Sequence, residues 1–439
     1  MDLNLMKDLL RHAGVVGAGG AGFPSYAKLS DKAETIILNC AECEPLLKVH
    51  RQVLEEYTYE ILSALSDIVK ITGAKQAIIG IKSHYASTIR AIEGEISDFP
   101  CVSIHKLDSV YPAGDEVILI KEVIGKAPDP GSLPISVGAI VCNVESVYNV
   151  WRATKGHSVT HKYVTVAGEV KNPLTLRVPI GTKISQLVTA AGGVTVDDPE
   201  YLAGGPMMGK IISPSDVVTK TTNAIIVLPS DHNVILNKKR NFKINLRRTM
   251  SVCCQCRSCT DLCSRHVIGY PVEPHAVMRL YSNGGMGDKS VLLGAMFCSG
   301  CGLCETYSCP QGLSPRAIIA EMKNDARKNG INPPKGIRPS EVKDADLKKV
   351  SVERLCARLG LTRYDVAAPI EEDFNTRTVK IPLSQGIGVP AVPCVKEGDA
   401  VKCEDVIAKV PDGALGADVH ASMDGKVTTV TERYIKITK

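Results

Sequence analysis

The sequence has few aromatic residues and no strong excess of one charge. Phe, Trp and Tyr make up 4% of the 439 residues, with one Trp, and the formal net charge is +5. With few aromatic rings, the protein has little surface on which nucleic-acid bases could stack. A net charge this small does not indicate strong attraction to the DNA backbone. No apolar run approaches the roughly 20 residues of a transmembrane helix. We therefore expect no nucleic-acid partner and no direct membrane insertion.

The N-terminus also lacks the apolar stretch of a signal peptide, which predicts a cytoplasmic chain. In that reducing compartment, 16 cysteines do not predict disulfides. Nine of the 16 lie between Cys253 and Cys309, and such clustering indicates metal binding. A cytosolic oxidoreductase is the class that these features favour.

The hydrophobic pattern predicts a multidomain α/β plus β chain. Strands alternating with helices predict a layered α/β domain with a largely parallel sheet over residues 1–160, and strand–turn–strand–helix texture predicts a β-grasp module over 161–235. A helical domain with the cysteine cluster follows over 236–335, then a linker or helical segment over 336–377. Short strands and glycine turns predict an all-β module over 378–439.

Two cysteine runs dominate the helical segment. Their spacings are C-x2-C-x2-C-x3-C from Cys253 to Cys263 and C-x2-C-x2-C-x4-C from Cys298 to Cys309. Such triplets with a trailing cysteine are typical of ferredoxins with two [4Fe–4S] clusters, in which the fourth ligand comes from the other run. The alternative, two structural zinc sites, normally needs two C-x2-C pairs. Two clusters are therefore predicted.

The expected ligands of the first cluster are Cys253, Cys256, Cys259 and Cys309, and those of the second are Cys298, Cys301, Cys304 and Cys263. Two departures bear on the exchange of fourth ligands: Ser264 stands where a proline is usual, and the second run has an extra residue before its last cysteine. Cys254 is expected to be a non-ligand that could substitute if the run shifts register. The cysteines outside the runs are expected to be inert thiols.

A basic run lies just before the cysteines. Six Lys and Arg residues and no acid occur between Lys238 and Arg248. A solvated linker is the favoured interpretation, and a docking patch for an acidic partner is the alternative.

A glycine-rich loop lies near the N-terminus. Gly17, Gly19, Gly20 and Gly22 would let the backbone approach a phosphate or an isoalloxazine ring closely. The loop lacks the preceding strand of a dinucleotide fingerprint, and a simple tight turn is the alternative. Because the clusters carry single electrons, a hydride donor would need a flavin to divide the electron pair.

Five segments together resemble a known family: residues 17–24 with Lys28, 39–45, 111–116, 142–145 and 204–209. They are similar to the NADH-oxidising subunit of respiratory complex I, and more closely to the C subunit of Rnf-type electron-transport complexes. The resemblance covers nearly the whole chain, and it implies binding of FMN and NADH.

The resemblance implies a role for each of eleven residues. FMN would pack against Gly17, Gly19, Gly20 and Gly22, with Lys28 near its phosphate and Asn39, Glu42, Glu116 and Asn143 lining its site, while Phe23 and Glu44 would lie at the nicotinamide nucleotide. For Glu42, Glu44 and Glu116 the alternative is an ordinary solvated carboxylate.

The position of the β-rich module is a departure from Rnf-type C subunits, which carry a barrel-sandwich domain at the N-terminus. Residues 378–439 resemble that domain moved to the C-terminus, as in the soluble corrinoid (cobalamin) reductases of propanediol-utilising microcompartments. The resemblance implies that electrons from NADH reach the cobalt of a corrinoid, for a partner adenosyltransferase. It leaves open whether the chain enters a microcompartment or forms a homo-oligomer.

Three alternatives remain at this stage. The chain could feed another soluble reductase, such as proline reductase, or it could be a non-enzymatic electron relay that has lost nucleotide binding. The intact glycine loop and Glu44 argue against the relay. An interaction scaffold with structural clusters is disfavoured, since one cluster would suffice for that.

Overall fold

The computed structural model describes residues 1–284, 286–288, 290–340 and 342–439. Both helices and sheets occur, and they form the predicted multidomain α/β plus β fold. No helix in these ranges is long and apolar enough to cross a membrane.

A four-stranded parallel sheet forms the centre of the N-terminal domain, in the order β3-β2-β1-β5. Its elements, with one short strand (β4), are α1 (Leu3–His12), β1 (Thr35–Cys40), α2 (Val49–Glu56), α3 (Thr58–Thr72), β2 (Gln76–Lys82), α4 (Ala86–Glu95), β3 (Val102–Leu107), β4 (Val110–Tyr111), α5 (Glu116–Ile124), β5 (Ala139–Asn143) and α6 (Val144–Thr154). Ile36 and Leu38 of β1 pack into one core and Ile37 into another, because helices cover both faces. Because β1 and β5 are parallel neighbours, their carboxyl ends lie side by side at the same edge of the sheet.

The pattern from Gln52 to Lys70 predicts one helix, and the structure has two. Tyr57 separates α2 from α3 because its backbone, at φ −120° and ψ 44°, lies outside the helical region. The ring of Tyr57 stacks on Tyr148 of α6 at a centroid distance of 4.3 Å.

The β-grasp region follows as a six-stranded sheet in the order β12-β7-β6-β10-β8-β9. Its elements are β6 (His161–Gly168), β7 (Leu174–Pro179), α7 (Ile184–Ala190), β8 (Pro199–Ala203), β9 (Lys210–Ile212) and β10 (Ala224–Pro229), and its edge strand β12 (Ile370–Glu371) comes from much later in the chain. The turn between β8 and β9 carries the segment 204–209 toward the N-terminal domain.

The cysteine runs lie among short helices, as predicted for this part of the chain. They are α8 (Asn233–Lys239), α9 (Phe242–Val252), α10 (Ser258–Asp261), α11 (Ser264–Val267), α12 (Pro274–Ser282), α13 (Ser290–Ala295), a π-helical turn (Cys304–Ser308) and α14 (Pro315–Lys328). Helices α9, α12 and α14 pack on one another around Val277, Ile318 and Ile319.

The prediction of a solvated linker over the basic run is wrong. Residues 238–248 lie largely on α8 and α9, and four of the six cations have partners within the chain. One of the four is Lys239, which forms an ion pair with Glu200. Lys238 donates to the carbonyls of Met207 and Gly209. Arg240 and Arg248 donate to the carbonyls of residues 312 and 311, just after Cys309. The run therefore fixes the turn that follows a predicted cysteine ligand.

The segment after α14 is tied to two other domains. Its strand β11 (Val350–Ser351) pairs with β4, α15 (Val352–Leu359) follows, and β12 extends the β-grasp sheet. The C-terminal module then forms two antiparallel sheets, β13-β19-β18-β15 and β14-β16-β17. Its strands are β13 (Thr378–Pro382), β14 (Val392–Pro393), β15 (Ala400–Val401), β16 (Val406–Lys409), β17 (Val419–His420), β18 (Gly425–Val430) and β19 (Tyr434–Thr438).

The C-terminal module packs directly against the N-terminal glycine loop. The backbone of Ile387 donates to the carbonyl of Ala21 at 3.1 Å. Gly22 has a φ of +70°, and a Cβ there would lie 2.6 Å from the Cα of Gly386. Two chain segments more than 300 residues apart therefore meet at a point where only glycine fits.

Candidate functional site: one cleft and two cysteine groups

A cleft of about 370 Å³ lies at the edge of the parallel sheet, under the glycine loop. All eleven predicted FMN and NADH residues line it: Gly17, Gly19, Gly20, Gly22, Phe23, Lys28, Asn39, Glu42, Glu44, Glu116 and Asn143. They come from the loop after α1, the end of β1, the start of α5 and the end of β5. These positions meet because the carboxyl ends of parallel strands share one edge of the sheet.

The glycine loop leaves room that no side chain fills. A Cβ on Gly19 would lie 2.3 Å from the Nδ2 atom of Asn143, so the loop lies directly over the end of β5. A Cβ on Gly20 would have no heavy atom within 4 Å, so that position faces open space. An open backbone surface of this kind fits a flat ring or a phosphate. The loop is therefore suited to FMN.

Lys28 supplies a cation to the cleft. Its Nζ atom lies 3.2 Å from Oε1 of Glu116 and 3.0 Å from the carbonyl of Val141. The ammonium group has three N–H bonds, and these two contacts use two of them. Lys28 can therefore bind a phosphate oxygen without leaving Glu116.

Glu42 and Asn143 are linked through His50. The backbone N–H of His50 donates to Oε1 of Glu42 at 2.8 Å, and the His50 ring lies 2.8 Å from Nδ2 of Asn143. Burial lowers the pKa of His50, which keeps its ring neutral. The other Glu42 oxygen, Oε2, is buried and has no hydrogen-bond partner among the described residues. Its nearest cation is Arg51, whose Nε lies 3.9 Å away, beyond hydrogen-bond distance. A buried carboxylate oxygen that accepts no hydrogen bond fits a donor group supplied by a ligand.

Asn39 is satisfied within the chain. Its side-chain amide donates to the carbonyl of Gly114 at 2.9 Å, and its Oδ1 atom accepts from the N–H of Ala41 at 3.1 Å. The residue thus holds the segment 111–116 against the end of β1, in addition to lining the cleft.

Glu44 has partners that the sequence did not indicate. Its two carboxylate oxygens accept from the backbone N–H groups of Met207 and Met208, each at 2.9 Å. Burial raises the pKa of Glu44, while these two hydrogen bonds act in the opposite direction. The carboxylate therefore fixes the 204–209 turn of the β-grasp region at the rim of the cleft.

A second polar group lies behind the cleft, where the N-terminal and β-grasp domains meet. Lys162 is fully buried and forms an ion pair with Glu145, and its Nζ atom donates to Oδ1 of Asn223 at 2.7 Å. Asn223 lines the cleft. Glu145 lies in the segment 142–145 noted in the sequence, but nothing there indicates its pairing with Lys162, because their proximity depends on how two domains pack.

One wall of the cleft belongs to the second cysteine run. Ser299 and Cys301 line the cleft together with Tyr111. The hydroxyl of Tyr111 donates to the main-chain carbonyl of Cys301 at 2.6 Å. Tyr111 begins the segment 111–116, which is one of the five that carry the family resemblance, but the resemblance gives it no role. Nothing in the spacing of the sequence indicates this bond.

The cysteines form two groups, and each group draws one member from the other run. The pKa of Cys259 is raised to about 12, by burial first and then by the nearby thiols of Cys309, Cys256 and Cys253. Burial also raises the pKa of Cys304 well above its usual value, with Cys298, Cys301 and Cys263 as neighbours. Cys309 thus lies beside thiols of the first run and Cys263 beside thiols of the second, while the assignment of these sets as cluster ligands stays a prediction.

Backbone and amide N–H groups point at several of these sulfurs. Gly300 N–H donates to Cys298 at 3.3 Å, Leu313 N–H to Cys309 at 3.4 Å, and the Gln255 side chain to Cys253 at 3.2 Å. Such donors stabilise thiolates and tune the potential of an iron–sulfur cluster. The donor set therefore fits clusters bound by thiolates.

In the described ranges, no three His, Cys, Asp or Glu side chains converge closely enough to hold a single metal ion. A four-iron cubane differs from such a site, since each thiolate binds its own iron atom.

The fold and the cleft define a class: a multidomain flavin and iron–sulfur oxidoreductase. The Nuo51 FMN-binding domain matches residues 10–152, and the SLBB domain matches 163–210. The 4Fe-4S dicluster domain matches 252–314, and the RnfC barrel sandwich hybrid domain matches 363–439. The chain thus carries an FMN-binding domain and a 4Fe–4S dicluster domain.

Two full-length relatives identify the family. The chain is 40% identical to cobalamin reductase PduS of Citrobacter freundii, over 99% of this chain and 97% of that protein. It is also 40% identical to PduS of Salmonella typhimurium, over 99% and 96%. The C subunit of the Na⁺-translocating ferredoxin:NAD⁺ oxidoreductase complex of Acetobacterium woodii is 29% identical, over 66% and 63%. The chain belongs to the PduS family of cobalamin reductases, related to Rnf-type C subunits.

A solved structure shows a similar fold. A chain of an NAD⁺-reducing [NiFe]-hydrogenase in the H2-reduced state aligns with a TM-score of 0.51 at 19% identity, covering 76% of this chain and 64% of that chain.

Proposed function

We propose that this oxidoreductase uses NADH to reduce the cobalt of a corrinoid, with FMN in the cleft and two [4Fe–4S] clusters as electron carriers. The observation that carries the proposal is the shared lining of the cleft, to which both Cys301 and the glycine loop contribute. The full-length similarity to PduS supports the choice of a corrinoid as acceptor.

The residues of the cleft have separate tasks in this proposal. When bound, FMN accepts a hydride and releases its electrons one at a time. Gly19 and Gly20 give the backbone access to its ring, and Lys28 holds its phosphate. Glu42 accepts a ligand hydrogen bond at Oε2, the oxygen that accepts no hydrogen bond within the chain.

Nucleotide would enter beside Phe23 and Glu44 at the rim. Because hydride transfer depends on stacked rings in a water-poor pocket, we assign no residue to proton transfer. The neutral ring of His50, which contacts Asn143, orients that side chain beneath the loop.

The cysteines hold the clusters as two crossed sets. Cys253, Cys256, Cys259 and Cys309 would bind the first, and Cys298, Cys301, Cys304 and Cys263 the second. The second set is the nearer one to the cleft because Cys301 forms part of its wall. A corrinoid adenosyltransferase is the proposed consumer of the reduced cobalt.

The test is an anaerobic visible spectrum of the protein reconstituted with FMN, iron and sulfide. We expect NADH to bleach both the flavin bands and the broad iron–sulfur absorbance, and added cob(III)alamin to restore them. If NADH bleaches the spectrum but the corrinoid does not restore it, the corrinoid is not the acceptor, and another soluble reductase becomes the favoured one. Unchanged spectra after NADH would contradict the assignment of the cleft and favour an electron relay.

A further inference from the structure

A basic tract flanks the second cysteine group and borders the cleft, with which it shares Met208 and Ser299. It consists of two neighbouring grooves, of about 360 and 190 Å³, that share Arg316. Among the residues that the structure describes, six cations and one carboxylate line the two grooves: Lys210, Lys238, Arg240, Arg316, Lys323 and Arg327, with Glu305. The tract is therefore strongly positive although the whole chain carries only +5.

The single carboxylate does not neutralise the tract. Glu305 is mostly buried and its Oε1 atom is paired with the guanidinium of Arg316. Lys210 and Arg327, by contrast, are both exposed. Lys238, Arg240 and Lys323 each donate to a main-chain carbonyl. The charge that the tract presents to solvent therefore comes mainly from Lys210 and Arg327.

Three of the cations lie on one face of α14. Arg316, Lys323 and Arg327 are spaced at i, i+7 and i+11, which places them along one side of the helix over about 16 Å. The acids of the same helix, Glu321 and Asp325, fall on the opposite side by the same periodicity. The charge of α14 is thus divided between two faces.

The tract lies against a predicted cluster ligand. Cys298, Ser299 and Gly300 line the smaller groove, and the ammonium of Lys323 donates to the carbonyl of Cys298 at 2.9 Å. Anything bound along α14 therefore lies beside the second cysteine group. That group also reaches the cleft, through Cys301.

We propose that the basic tract is the docking surface for an acidic protein that accepts electrons from this chain. The proposal deepens the proposed function and relies on it for the direction of electron flow. One small anion would cover only part of a stripe about 16 Å long, whereas an acidic segment of a partner can pair with it throughout. Each transfer oxidises the cluster bound by Cys298 by one electron and reduces the partner's centre by one.

The test measures binding rather than turnover. A fluorescein-labelled deca-glutamate peptide is titrated with the reconstituted full chain, and anisotropy is followed at several salt concentrations. We expect saturable binding that weakens with salt. The double variant K210E/R327E should weaken it about ten-fold, because two exposed charges of the tract are reversed.

The matched control is K183E/K328E. Lys183 is an exposed residue of the β-grasp region, and Lys328 lies on α14 but away from the stripe. Iron and FMN contents are measured for every variant, so that a folding defect is recognised. Equal weakening by both double variants, or no binding by the unaltered chain, would overturn the proposal.

A small anion is the competing occupant. If inorganic pyrophosphate displaces the peptide at concentrations far below the peptide's own dissociation constant, the tract is a small-ligand site and the protein partner is rejected. Peptide binding requires neither NADH nor electron transfer. Failure of NADH to bleach the flavin would therefore contradict the proposed function, while the peptide titration would still show whether the tract binds an acidic chain.

Discussion

The hydroxyl of Tyr111 donates a hydrogen bond of 2.6 Å to the main-chain carbonyl of Cys301. Tyr111 is 3% exposed and ends β4, while Cys301 lies 190 positions later in the second cysteine run. Burial raises the pKa of Tyr111 well above its usual value, so the hydroxyl stays protonated and can donate. The bond joins the wall of the cleft to the loop that carries three predicted cluster ligands.

Replacing Tyr111 by Phe should weaken this junction. The partly buried carbonyl of Cys301 would lose its donor, which costs about 1–3 kcal/mol in the free energy of unfolding. We also expect cluster reduction to lag behind flavin bleaching more than in the unaltered chain, as measured by stopped-flow absorbance with NADH. Tyr59→Phe is the control, because Tyr59 is 53% exposed. Identical behaviour of the two variants would show that the bond contributes nothing.

Gly20→Ala tests whether FMN packs on the loop. A Cβ at Gly20 meets no heavy atom within 4 Å, so the methyl group should leave the melting temperature of the flavin-free protein unchanged. It should nevertheless lower FMN affinity, because the methyl would occupy space that the ring needs. Equilibrium titration of flavin fluorescence measures this. Retention of full FMN affinity would place the flavin elsewhere in the cleft.

Substitutions of two other glycines serve as controls for the Gly20→Ala variant. Gly94→Ala adds the same methyl group at an exposed position of α4, and it should leave FMN binding intact while stabilising the helix by about 0.5–1 kcal/mol. Gly19→Ala should lower both FMN affinity and flavin-free stability, because its Cβ would lie 2.3 Å from Asn143.

The crossing of the fourth ligands is directly testable. Cys309→Ser should remove the first cluster and Cys263→Ser the second, each leaving about half of the iron. Electron paramagnetic resonance of the reduced protein distinguishes the two clusters. Cys254→Ser is the control, since Cys254 is exposed and expected to be a non-ligand. If Cys309→Ser instead removed the cluster of its own run, the exchange would be refuted.

The sequence was most informative where chemistry depends on residue type and local spacing. The glycine loop and the cysteine runs are of this kind, and all eleven predicted flavin and nucleotide residues line one cleft. The family resemblance supplied what spacing could not, since Asn39 and Asn143 carry no local signal of their own.

Features that depend on how domains pack were missed. The amides that bind Glu44 lie more than 160 positions away in the β-grasp region. The basic run was interpreted as a linker because composition alone does not reveal that Arg240 and Arg248 bind the turn after Cys309. In both cases the partner is a main-chain group, which no residue pattern identifies.

Lys220 predicts a pH dependence of stability at the junction of three domains. It is fully buried, and its Nζ atom donates to the carbonyls of Gly14 and Asp418 at 2.7 and 2.9 Å. Burial lowers the pKa of Lys220 to about 7, while Asp418 opposes the shift. The neighbouring His420 has a pKa lowered to about 3 by burial first, so it stays neutral above pH 5.

The direction in which stability changes with pH follows from the number of protons that each state binds. In the unfolded chain Lys220 stays protonated up to about pH 10.4, whereas in the folded chain it loses its proton above pH 7. Between these values the unfolded state binds more protons, so this residue's contribution makes stability rise with pH, by at most about 1.4 kcal/mol per unit. Lys220→Met removes that contribution and leaves two carbonyls without a donor, which adds a constant cost.

The measurement is the thermal midpoint of both proteins from pH 6 to 8.5. The gap between the unaltered chain and Lys220→Met should be constant below pH 7 and widen steadily above it. Lys183→Met, at an exposed position, should follow the unaltered chain throughout. A gap that does not change across the range would mean that Lys220 keeps its proton in the folded protein. The junction of the glycine loop with the C-terminal module would then contain a buried ammonium charge that is stabilised mainly by the two carbonyls.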